Sequence, residues 1–175
     1  MTSITKFYLN EEANHMGLYL KDIWNFSEWE FENTHDFIQW MFPIELQSKH
    51  SPEAPIVSSS DLSKLLDNIQ FKENLLHSLF KAENCWGLEV NHQRINRTRP
   101  RDFKTFDELN WPTAYHHNYL RISRALHCLT LFGLENEAKE LLDYLEANVC
   151  EVYEHLIGKE TINNWKESIS YKCAA

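Results

Sequence analysis

Three basic residues lie at helical spacing beyond the middle of the chain: His117, Arg121 and Arg124. Side chains three or four positions apart share one face of a helix. An arginine guanidinium donates several hydrogen bonds in a fixed fork, which suits a carboxylate or a phosphate. This basic stripe therefore predicts a binding site for an anion or for the terminal carboxylate of a peptide, with the histidine beside the two forks.

The two arginines of the stripe also have a structural interpretation. The predicted helix that carries them is apolar on both flanks, so we expect Arg121 and Arg124 to be largely buried. A buried charge without a partner is very costly, so each guanidinium should lie within reach of an acidic side chain or a main-chain carbonyl. In this alternative the stripe belongs to a buried polar network between packed helices and binds no ligand.

A second basic cluster precedes the stripe and consists of Arg94, Arg97, Arg99 and Arg101. From position 94 to position 124 the chain has seven lysines and arginines against three acidic residues, although its net charge is −9. Arginines gathered in a concavity raise the local concentration of anions. We expect this cluster to form one wall of an anion or peptide site, with the histidine of the stripe at its edge. The alternative is a solvated basic loop that balances the acidic helices.

Patterns for catalysis or metal binding are weak in this sequence. The nine histidines include no HExxH pair, the four cysteines lack zinc-finger spacing, and four glycines form no phosphate-binding loop. On a helix, Cys128 would lie roughly 16 Å from His117. That distance is too long for the histidine to act as the general base of a cysteine nucleophile. We predict a non-enzymatic binding module without a catalytic residue, metal or cofactor. The alternative is an uncharacterised enzyme or small-anion binder that uses the histidine and arginine side chains.

The elements that position these residues are predicted to be helices. The stretch from Trp111 to Gly133 predicts one long helix over 113–132, whose apolar flanks suit the centre of a bundle. Few glycines and no sustained alternation of apolar and polar residues favour an all-α fold. We expect a single compact bundle of about six or seven helices around this central helix. Its expected neighbours are helices over 29–42, 69–86 and 135–157.

The N-terminal part of the chain predicts shorter elements. A first helix is expected at about 14–26, with Phe7 and Tyr8 docking onto it from an extended arm. Ser27 and Glu30 form the capping-box pattern at the start of the next helix.

Length and charge limit the number of domains and the class of partner. A chain of 175 residues is predicted to form one domain, over residues 1–175. The net charge of −9 disfavours nucleic acid as a partner. The sequence has neither a signal-peptide pattern nor the run of about 20 apolar residues that spans a membrane. We therefore expect a soluble, cytoplasmic protein whose partner is a peptide or an anionic small molecule, and the oligomeric state is left open.

Three segments together resemble the conserved domain of the opioid growth factor receptor family. They are FYLNEEANHMGLYLKDIW (Phe7–Trp24), HDFIQWMFP (His35–Pro43) with SPEAPIV (Ser51–Val57) after it, and HNYLRISRALHCLTLFGL (His117–Leu134). The resemblance is strongest over about residues 6–150, and the second and third segments are its specific motifs.

The resemblance implies a receptor-like function without a catalytic residue set. The family's vertebrate members are described as receptors for an enkephalin peptide that restrains cell growth, are associated with the nucleus, and carry long C-terminal extensions. The two specific motifs contain His35, Gln39 and Asn118 in addition to the basic stripe. The resemblance implies that these polar side chains form one network with the stripe.

Overall fold

The computed structural model describes residues 3–91 and 111–170. Within these residues every regular element is a helix and no strand occurs, so the predicted all-α class is confirmed. The described residues form more helical segments than the six or seven expected. The chain divides into two units, Met1–Lys81 and Ala82–Ala175, which are taken in turn.

The first unit consists of short helices followed by the start of a long one. They are α1 (Ser3–Tyr8), α2 (Leu20–Trp24), α3 (Glu28–Asn33), α4 (Ile38–Met41), α5 (Ser59–Leu65) and α6 (Ile69–Trp86). The predicted N-terminal arm is therefore a helix, and the predicted first helix at 14–26 is reduced to α2. The predicted helix at 29–42 is broken into α3 and α4, because Asp36 between them has a φ of 66° that a continuing helix cannot accept.

Hydrogen-bonding side chains begin α3 at the position that the sequence predicted. The backbone N–H of Glu30 donates to the hydroxyl of Ser27 at 3.2 Å, and the N–H of Ser27 donates to the Glu30 carboxylate at 2.7 Å. This reciprocal capping box satisfies two donors that the first turn would leave unpaired. It also lowers the pKa of the Glu30 carboxyl, chiefly through the hydrogen bond from the Ser27 side chain.

Tyr8 connects three helices in the core of the first unit. Its hydroxyl donates a hydrogen bond to the carbonyl of Met41 in α4, and its own carbonyl accepts one from the side chain of Asn74 in α6 at 2.5 Å. Its ring packs on Phe71 with centroids 4.4 Å apart. Aromatic side chains thus fill this core, and the hydroxyl and the carbonyl of Tyr8 are both hydrogen-bonded within it.

The second unit is built around α7 (Asn118–Leu131), which packs against α8 (Glu135–Tyr144) and α10 (Lys159–Ser170). The predicted central helix was expected from residue 113, but α7 begins at Asn118. The cause is Tyr115, whose φ of 64° lies in the left-handed region and interrupts any helix through 113–117.

The predicted helix at 135–157 is continuous but not uniform. Between α8 and α9 (Glu151–Ile157), residues Leu145–Cys150 form a π-helical segment with a wider turn. Gly158, with a φ of 82°, ends α9, and α10 begins directly after it. No helix within residues 3–91 and 111–170 is long and apolar enough to cross a membrane.

Candidate functional site

The polar face of α7 brings together part of the predicted site. Arg121 is only 6% exposed, and its Nη1 donates a long hydrogen bond of 3.4 Å to the side-chain oxygen of the buried Asn118. Arg124, one turn further on, is half-buried, whereas His117 at the helix start is not buried. The expected burial is therefore found for Arg121 and only in part for Arg124. We call Asn118, Arg121 and Arg124 the α7 polar face.

The backbone at the start of α7 is fixed by an aromatic cluster. The hydroxyl of Tyr119 donates to the carbonyl of Thr113 at 2.5 Å, and the indole N–H of Trp111 donates to the carbonyl of Trp86 at 2.7 Å. The rings of Trp111 and Tyr119 meet edge to face at 6.0 Å. Burial raises the pKa of the Tyr119 phenol, while the bond to Thr113 lowers it by a smaller amount, so at neutral pH the hydroxyl remains a donor.

Two histidines lie at the same end of α7. The backbone N–H of Asn118 donates to Nδ1 of His116 at 3.3 Å. The rings of His116 and His117 lie 4.4 Å apart, and His116 is half-buried. Because Nδ1 of His116 accepts a hydrogen bond, that ring is held in the tautomer with its proton on Nε2. An Nε2–H group is a further neutral donor beside the first turn of α7.

Two large apolar side chains close to this polar face in the sequence are exposed to solvent. Tyr115 is fully exposed at 100%, and Leu120 is also exposed. A non-glycine residue at a φ of 64° costs of order 1–3 kcal/mol, and such strain occurs most often at functional sites. The strained backbone holds a large aromatic ring in solvent next to the two histidines.

Buried carboxylates in the same unit agree with the structural alternative. Glu83 and Glu137 are both fully shielded from solvent. A buried carboxylate requires a cationic or hydrogen-bonding partner, because its desolvation is expensive. A buried cation in the same unit would meet that requirement, as the network interpretation expects.

The other predicted site residues are distributed as follows. Arg94, Arg97, Arg99 and Arg101 lie outside the described residues. In the first unit, His35 is exposed and Gln39 is buried. The Cys128 thiol is fully buried in α7, which agrees with a packing role for that residue.

Sequence reasoning missed a turn in the first unit. The side-chain oxygen of Asn14 accepts hydrogen bonds from the backbone N–H groups of Met16 and Leu18, at 2.9 and 3.0 Å. The next residue, His15, accepts the indole N–H of Trp40 at 3.1 Å. The sequence signal was the N-H-M-G tetrapeptide, because asparagine followed by glycine three positions later is typical of a side-chain-stabilised turn.

Comparison with known proteins finds a family model and relatives that match most of this chain. Residues 2–173 match the family model described as the opioid growth factor receptor conserved region. An opioid growth factor receptor-like protein 1 of Xenopus tropicalis is 26% identical over 169 residues, which are 93% of this chain and 31% of that protein. The opioid growth factor receptor of Homo sapiens is 26% identical over 136 residues, 74% of this chain and 20% of that protein. The chain thus spans less than a third of either relative. No solved structure matches the chain.

Proposed function

The chain belongs to the opioid growth factor receptor family through its conserved region, and from that premise we propose that it is a non-enzymatic, receptor-like binding module. Its ligand is a peptide, and the anionic C-terminal carboxylate of that peptide binds at the α7 polar face. Of the two relatives, one is named as a receptor and the other as a receptor-like protein. An enkephalin-like peptide is therefore the first ligand to test.

The observation that carries this proposal is the arrangement of arginines on α7. Arg121 and Arg124 lie on α7, His117 directly precedes its first residue, and the helix contains no acidic residue. Arg121 is held by its contact with Asn118, so its guanidinium is pre-oriented before any ligand arrives. Pre-orientation reduces the side-chain entropy that binding must overcome.

Burial makes these charges more effective than charges in open solvent. The interaction between two charges increases as the local dielectric falls, and Arg121 is shielded while Arg124 is partly shielded. Arg124 therefore supplies the contact that a ligand can reach, and Arg121 and Asn118 support it from behind. The exposed Tyr115 and Leu120 offer apolar contact for the peptide side chain next to the carboxylate.

Calorimetric titration with matched peptides tests the proposal. One enkephalin-like peptide has a free C-terminal carboxylate and the other a C-terminal carboxamide. A charge-assisted hydrogen bond is worth about 1.5–3 kcal/mol, so the free acid should bind roughly tenfold or more tighter than the amide. Binding of the free acid should weaken as salt is added.

Variants of the chain test whether the difference in affinity between the two peptides arises at the α7 polar face. Arg124→Gln should reduce affinity for the free acid to about that of the amide. Lys139→Gln is the matched control, because Lys139 lies in the neighbouring α8, is exposed, and is paired with Asp143 at 2.6 Å. Equal affinity for both peptides, or no binding at low ionic strength, would show that the arginines serve only the internal network.

A further inference from the structure

Helix α9 exposes two apolar side chains that lie one helical turn apart. Val152 is 51% exposed and Leu156 is 37% exposed. Of the seven residues of α9, Ile157 is the one that is buried. Single exposed apolar residues are ordinary on a protein surface, but two that follow one another along a helix form a stripe that a partner can cover.

An open cavity of about 450 Å³ adjoins this stripe. It lies at the corner where α9 ends and α10 begins, and Gly158 makes that corner with a φ of 82°. Nothing lies within 4 Å of a β-carbon placed on Gly158, so the corner is open to solvent. The residues that line the cavity are Glu151, Val152, Glu154, His155, Gly158 and Lys159.

Negative charge predominates around this cavity. Glu151 and Glu154 are exposed, and neither carboxylate forms a hydrogen bond or an ion pair with another described residue. From position 135 to position 170 the chain has nine acidic residues against three lysines and no arginine. Two of these lysines are already paired with other carboxylates, and Lys159 offsets part of the charge at the cavity. The surface therefore complements a cation.

Other occupants fit this surface less well. A second copy of the chain would bring the same acidic residues face to face across a two-fold interface. Phosphate groups of nucleic acid or of anionic lipids would be repelled. No three ligand atoms of the cavity lining lie within 4.8 Å of one another, which disfavours a bound metal ion. A segment with cationic and apolar side chains matches both the carboxylates and the stripe.

We propose that Glu151, Val152, Glu154 and Leu156 form a groove, the α9 acidic groove, that binds a basic amphipathic helix of another protein. Lysine or arginine side chains of that helix contact the two carboxylates. Its apolar side chains, which recur at the same helical spacing, cover the stripe. This site lies on another helix than the α7 polar face, takes a ligand of opposite charge, and does not rest on the carboxylate site.

Nuclear magnetic resonance of the Gly158 backbone N–H provides a local readout. The chain has four glycines, and the signal of Gly158 is assigned by its loss in Gly158→Asn, since asparagine tolerates a positive φ. The probe is a synthetic helical peptide of about 15 residues, capped at both ends, with leucines on one face and lysines on the other. We expect a saturable shift of the Gly158 signal on titration.

A scrambled peptide separates the apolar contribution from the charge. It has the same leucines and lysines in an order that forms no apolar face, so it should bind about tenfold more weakly. A peptide with glutamates in place of the lysines should not bind, because its charge has the same sign as that of the groove.

Variants with matched controls locate the binding on α9. Glu151→Gln/Glu154→Gln should weaken the amphipathic peptide about fivefold, since two exposed charge contacts are lost. Glu135→Gln/Glu167→Gln is the control, because it removes the same charge from exposed positions of the same unit. Val152→Thr should weaken binding to a similar degree, whereas Ile69→Thr, at a residue that is 75% exposed in the first unit, should leave it unchanged.

Several outcomes would overturn the proposal. They are the absence of a saturable Gly158 shift, an equal loss of affinity in the two glutamate double variants, and unchanged affinity in Val152→Thr. A dimer of the free protein that is lost in Val152→Thr would make the occupant a second copy. A Gly158 shift caused by Arg97→Ala/Arg99→Ala without peptide would make it the chain's own basic cluster. Because the probe has no free carboxylate, failure here leaves the α7 site untouched.

Discussion

The indole N–H of Trp165 donates a hydrogen bond of 3.0 Å to the main-chain carbonyl of Tyr119. This bond joins α10 to the first turn of α7, and the two rings also meet edge to face at 6.1 Å. Trp165 is fully buried. The indole therefore holds the part of α7 from which the polar face begins.

Trp165→Phe should destabilise the protein by about 1–3 kcal/mol, because the buried carbonyl contact is lost and the smaller ring leaves a void. Trp29→Phe is the matched control. Trp29 is largely exposed, so its free energy of unfolding should change by less than about 0.5 kcal/mol. Urea denaturation measures both. Equal effects of the two changes would contradict the role assigned to Trp165.

Arg121→Leu should lower the free energy of unfolding by about 3–5 kcal/mol, because it removes a buried cation from a unit that contains buried carboxylates. Arg124→Leu should cost clearly less, since Arg124 is only half-buried. Chemical denaturation of both variants gives the comparison. A loss below about 1 kcal/mol for Arg121→Leu would show that no buried group depends on this guanidinium.

The Cys150 thiol predicts a stability change at alkaline pH. Burial, assisted by the nearby Glu146 carboxylate, raises its pKa from 9.0 to about 11. Between those values the unfolded chain releases the thiol proton and the folded protein keeps it, so stability falls as pH rises. The free energy of unfolding is measured for the wild-type protein and for Cys150→Ala at pH 8 and at pH 10.5. Between these two pH values the wild type should lose about 1–2 kcal/mol relative to the variant. A constant difference across that range would contradict the raised pKa.

Gln39→Met should leave the protein equally stable or make it more stable, although Gln39 is buried. Its side-chain oxygen has no donor in the described part of the chain, so replacement by an apolar group of similar length removes a desolvation cost. Thermal unfolding of Gln39→Met beside Gln47→Met provides the measurement. A loss of more than about 1 kcal/mol would mean that the amide contributes to folding.

Local signals in the sequence predicted much of the helical structure. The capping box of Ser27 and Glu30 was recognisable because both partners lie within one helical turn. The helical path over 135–157 was recognisable from its apolar period, which a π-helical segment interrupts by only one wider turn. The burial of Arg121 followed from the apolar flanks of its helix.

The features that sequence reasoning missed depend on strain or on distant contacts. Asp36 and Tyr115 adopt left-handed backbone conformations, which the spacing of apolar residues in the sequence does not reveal. Asp36 breaks one predicted helix, and Tyr115 shortens another. The contact between His15 and Trp40 joins segments 25 positions apart, so no local pattern could reveal it. Within the described residues, the side-chain nitrogen of Asn14 and the side-chain oxygen of Gln39 have no hydrogen-bond partner, which depends on three-dimensional packing and on no local sequence pattern.

The guanidinium N–H signals of Arg121 and Arg124 test the central claim most directly, because Arg124 should contact the carboxylate and Arg121 should support it from behind. Nuclear magnetic resonance would follow both signals during titration with the enkephalin-like peptide in its free-acid and carboxamide forms. We predict a saturable shift of the Arg124 signal, with a smaller shift of Arg121, for the free acid alone. If neither signal moves with the free acid at low ionic strength, the α7 polar face is an internal network and the proposed binding site is wrong.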